Sequence, residues 1–159
     1  MTNSNTNFST MIALVALILT FTFGFPASAS NNLLVKTTTP FAQVEKNLTQ
    51  AIKNNKMGLV CKASATRGAA SLGIKIKENR VFGIFHPKYA VRMLEASVAA
   101  GIEAPIRVYL YENDDGSATI AYKKPSDVFR PYGSADLDKM AQELDTIFAQ
   151  IVNDAVTSK

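Results

Sequence analysis

Residues 11–25 form an almost unbroken apolar run. Beyond it, apolar and polar positions recur with the periods of folded elements. The run is about 15 residues long, short of the roughly 20 that a bilayer span needs. Pro26 and the small tripeptide Ala27, Ser28, Ala29 follow it. This pattern predicts a secretory signal over residues 1–29, cleaved after Ala29. A retained anchor is the alternative, because no Lys or Arg precedes the run. The remaining unit, residues 30–159, is long enough for one domain with its own core. It is expected to be periplasmic or extracellular, with no membrane span after signal cleavage.

Leu33 to Thr37 reads as a first strand. Thr39 is a natural helix N-cap and Pro40 a natural first helical residue. Phe41, Val44, Leu48, Ala51 and Ile52 then recur at helical spacing. From Leu59 to Ala63 the period drops to two, which places Leu59, Cys61 and Ala63 on one inward face. Residues 66–73 are small and contain glycine, a loop or a short helix. Arg80 to Phe85, apolar from Val81 onward, reads as a central strand. Pro87 opens a second helix with Ala90, Met93, Leu94 and Ser97 inward, and Gly101 stops it.

Ile106, Val108 and Leu110 alternate with Arg107, Tyr109 and Tyr111. Asp115 and Gly116 signal a hairpin, after which Ala118, Ile120 and Tyr122 alternate with smaller residues. Ser134 caps a long last helix whose apolar stripe runs from Leu137 to Ala155. The order is β-α-β-β-α-β-β-α, an α+β class. Its economical solution is a single, mainly antiparallel sheet with helices on one face and the last helix laid across it.

Composition removes several function classes. The chain carries 17 basic and 13 acidic side chains, a net charge of +4, and every charged group lies beyond residue 30. The excess is scattered, with local pairs at Lys75 and Lys77 and at Lys123 and Lys124. No basic stripe interleaved with stacking aromatics is present, so no nucleic-acid partner is expected. With one Cys and one His, neither a disulfide within the chain nor a Cys/His zinc site can form. No phosphate loop, dinucleotide fingerprint or nucleophile elbow occurs, so no cofactor is expected. Asp114 and Asp115 suit a turn, and Asp136 and Asp138 suit a helix start, so neither pair reads as an acid/base couple.

Gly68, Ala69, Ala70 and Gly73 are followed by a strand that runs into Phe85, His86, Pro87 and Lys88. Ala104 and Pro105 then lead the strand to Glu112, followed by Asp115, Gly116, Tyr122 and Pro125. In combination these residues resemble the family known as domain of unknown function 302. The resemblance implies a small α+β domain similar to the half-repeat of the TATA-binding-protein fold, often a homodimer, with no general activity. The chain departs from that pattern at His86, where many members carry Asn, and at Ser64 and Ala65, where some carry Asp-His.

His86 is the one side chain that ordinarily titrates near neutrality, and it stands where a strand meets a helix. Arg67, His86 and Lys88 could together form an anion site at that helix start. The plainer alternative is a capping His86 beside a solvated Lys88. Tyr109 and Tyr111 share one face of a strand, where they could line a pocket or a contact surface, or serve as cross-strand pairs that stabilise the sheet. The leading expectation is an exported, non-enzymatic small-ligand-binding or interaction domain, with a second copy in a homodimer and a small anionic or amphipathic ligand as its expected partners. A cavity between the sheet and the long helix would suit an apolar or amphipathic ligand. The alternatives are an envelope enzyme using His86 as general base, with Arg67 or Lys88 stabilising an anion, and a structural or assembly protein.

Overall fold

The computed structural model describes residues 31–158, so the predicted signal segment lies outside the described residues. The elements are β1 (Asn32–Pro40), α1 (Phe41–Asn54), β2 (Gly58–Ala63), α2 (Ala65–Ser71), β3 (Asn79–Phe85) and α3 (Pro87–Ala96). A 3-10 turn (Val98–Glu103) leads to β4 (Ile106–Glu112), β5 (Ser117–Lys123), α4 (Pro125–Phe129) and α5 (Ala135–Thr157). The expected α+β class and order hold; the segment read as a loop or a short helix is a short helix, α2, and a further short helix, α4, follows β5.

The five strands form one antiparallel sheet in the order β1-β5-β4-β3-β2. Its register sorts the residues by face. Phe82, Val108, Leu110, Ile120 and Tyr122 point into the core, where α1, α3 and α5 cover them. The stripe of α5 is buried as its spacing predicts, with Leu137, Phe148, Ile151 and Ala155 wholly inside. Truncating one such side chain, Phe148, would cost about 3–5 kcal/mol. Ser134 caps α5 by accepting the Leu137 N–H.

Three expectations are corrected. Thr39 does not cap α1. Strand β1 continues to Pro40, which pairs with Ser117, so the chain stays extended until Phe41 and the helix starts without a side-chain cap. Cys61 does not face inward. The β2–β3 register shifts between Leu59 and Cys61, so Leu59 pairs with Ile84 on the core side while Cys61 pairs with Gly83 on the outer side. A bulge inserts one residue and reverses the alternation beyond it, and Cys61 is exposed. Leu94 is not inward either: α3 runs for only ten residues at the margin of the helix layer and buries Met93 alone, leaving Leu94 exposed.

Candidate functional site

The space found between sheet and helices is small. The gap beneath α3 and α5, lined by Met57, His86, Met93 and Met140 among others, offers about 30 Å³, far below the roughly 300 Å³ at which small-molecule sites begin. The uncovered side of the sheet is different. Leu34, Ala121, Tyr109, Val81 and Ala63 lie in one row across all five strands. The small side chain of Ala121 leaves a depression beside Tyr109. A hollow of about 250 Å³ opens there, with Val81, Tyr109 and Ala121 as its apolar lining and Arg107, Lys123 and Glu103 as its charged groups.

Tyr109 and Tyr111 stack along β4, ring centroids 5.4 Å apart and planes inclined by 29°. Their neighbours across the sheet are Val81 and Ala121 for Tyr109, and Asn79 and Thr119 for Tyr111. They therefore stack on one another within one strand as well as pairing across the sheet. At the rim, the Tyr132 hydroxyl donates to Glu103 at 3.0 Å. Burial, reinforced by the Glu103 carboxylate, raises the Tyr132 phenol above its ordinary value, so it remains a donor at neutral pH. Tyr122 is likewise raised, by burial first and then by Asp145.

His86 and Lys88 meet through the Lys88 backbone N–H. His86 is the N-cap of α3, its Nδ1 accepting the Lys88 N–H at 3.1 Å, and its ring meets Tyr89 edge-on at 5.8 Å. With Nδ1 used as acceptor, the neutral ring carries its proton on Nε2. Lys88 reaches back over the Tyr89 ring. Arg67 is not part of this group. Strands β2 and β3 pair from Gly58–Phe85 at one end to Ala63–Val81 at the other. His86 follows the first end and Arg67 lies beyond the second, roughly 15 Å of strand apart at about 3.3 Å per residue.

The sequence offers Arg107, Val81 and Ala121 as no more than strand residues, and Lys123 only as half of a basic pair. The signal for Arg107 was present, since it alternates with Tyr109 and Tyr111. Val81 was hidden within an apolar run that looks alike on both faces, and only the strand register separates it from Phe82.

A family described as "Domain of unknown function DUF302" matches residues 34–155. The chain belongs to the DUF302 family. The crystal structure of an uncharacterized conserved DUF302 protein from Bacillus stearothermophilus has the same fold, with a TM-score of 0.72 at 18% identity. The match covers 80% of this chain and 99% of that one. No curated protein matches this DUF302 chain.

Proposed function

We propose that this DUF302 chain is an exported, non-catalytic domain that binds a small amphipathic anion on the uncovered face of its sheet. The hollow beside Tyr109 carries this reading. Its floor of Val81, Ala121 and the Tyr109 ring suits an apolar or aromatic body, and Arg107 and Lys123 suit a carboxylate or similar head group. Glu103, held by Tyr132, would turn a second negative charge away. The catalytic alternative has less support, because the His86 Nδ1 is engaged in a helix cap and Arg67 lies at the opposite end of the sheet.

The test is native mass spectrometry of the chain exported with its own leader and purified without harsh washing, beside Tyr109→Ala and Arg107→Glu variants. A defined extra mass on the wild type, absent from both variants, is expected. A bare mass, with no shift in melting temperature across a panel of aromatic and aliphatic carboxylates, would overturn the reading. A dimer that Tyr109→Ala splits would give this face to a second copy instead.

A further inference from the structure

The segment between β2 and β3 projects from the domain with no core of its own. None of the residues of α2 is buried. The segment is held by polar bonds at its base. The Ala65 N–H donates to Asn79 Oδ1, the Thr66 hydroxyl to the Lys77 carbonyl, and the Arg67 N–H to Ser64 Oγ. Past α2 the chain turns at Gly73, φ 72°, and exposes Leu72 at 76%, Ile74 at 54% and Ile76 at 40%. Large apolar side chains clustered in this way on a protrusion mark a contact surface.

The charge of the arm selects the partner. From Ala65 to Lys77 there are three cations, Arg67, Lys75 and Lys77, and no acidic residue. Lys77 is paired with Asp114, while Arg67 and Lys75 have no ion-pair partner among the described residues. A second copy of the chain is a poor fit. Its uncovered sheet face presents Lys36, Arg107 and Lys123 beside Glu103, and the whole chain carries +4. An exposed segment with apolar side chains interleaved by lysine has the chemistry of one that dips into an anionic bilayer. There the apolar groups enter the acyl boundary and the cations meet the head groups.

We propose that the α2 arm docks this domain onto an anionic lipid surface, with Leu72 and Ile74 inserted and Arg67 and Lys75 against the head groups. This contact is independent of the hollow beside Tyr109.

The experiment uses residues 31–159, the unit whose fold the Bacillus stearothermophilus chain adopts over nearly its whole length. Co-sedimentation is measured with vesicles of phosphatidylcholine alone and of an equimolar mixture with phosphatidylglycerol. Binding to the anionic vesicles alone is expected, falling as salt is added. Arg67→Glu with Lys75→Glu should weaken it by about tenfold or more, and Leu72→Ser with Ile74→Ser should weaken it at unchanged head-group charge. Because none of these side chains is buried, thermal melts should stay at the wild-type position and show that the variants are folded. Absence of binding to anionic vesicles, equal binding to neutral ones, or unchanged binding by both variants would overturn the proposal. So would a dimer in light scattering that Leu72→Ser with Ile74→Ser dissolves, which would assign the arm to a second copy.

Discussion

The Cys61 sulfur occupies the space that a side chain at Gly83 would need. The two residues face each other across β2 and β3 on the uncovered side of the sheet, and a Cβ built on Gly83 collides with the Cys61 Sγ and comes within 2.9 Å of the Pro105 ring. Glycine is required here by close approach, not by backbone conformation. Gly83→Ala is expected to destabilise the domain by about 1–3 kcal/mol, the range for overpacking. Adding Cys61→Ala should recover part of that loss, leaving the share due to Pro105. A double-mutant cycle in urea measures the coupling, and strictly additive losses would contradict the contact.

Asn47 ties the end of α5 to α1. Its side-chain amide donates to the Ala155 carbonyl at 3.2 Å and to the Ser158 carbonyl at 2.8 Å, while its oxygen accepts from Gln43. The residue is buried, and the last carbonyls of a helix have no partner within it. Asn47→Ala should cost about 1–3 kcal/mol, because it leaves a buried acceptor unpaired. Hydrogen exchange should show the loss concentrated in the last turn of α5, and an even loss across the sheet would contradict the assignment.

Elements with an uninterrupted period were legible in the sequence. The α5 stripe and the inward residues of β4 follow from spacing alone, because one period holds from end to end, and the hairpin follows from the Asp115-Gly116 pair itself. The outward face of Cys61 was not legible, since a bulge moves the register without leaving a compositional mark. Neither was the separation of Arg67 from His86, which depends on which ends of β2 and β3 meet. The hollow combines a small residue from β5 with aromatic and apolar residues from β4 and β3. That neighbourhood exists only once the strand order is known.

Glu45 on α1 stands between two cations. Lys62 donates to it at 2.8 Å and Arg80 at 3.3 Å, with the Arg80 guanidinium also lying over the Phe41 ring. Burial alone would raise the carboxyl, but the Lys62 hydrogen bond and the Arg80 charge outweigh it and hold Glu45 below its ordinary 4.5. A carboxyl depressed in the folded state adds stability that is full above its unfolded value and is lost as pH falls through the folded one. Glu45→Gln should therefore melt below the wild type near pH 7, and the gap should close as pH falls below 4.5. A gap that stayed constant into acid would show that the ion pairs contribute nothing.

His86 separates capping from catalysis, because the two roles answer differently to one pair of substitutions. As the cap of α3 its ring supplies an acceptor for the Lys88 N–H, and an Asn side chain can supply the same acceptor from the same position. His86→Ala should lower stability by about 1 kcal/mol, whereas His86→Asn should retain most of it. Thermal denaturation of the two variants reads this directly. A general base would behave otherwise, since Asn cannot take a proton at neutral pH and both variants would lose turnover alike. Equal stability of Ala and Asn at this position would remove the capping role and leave the His86 ring free for chemistry.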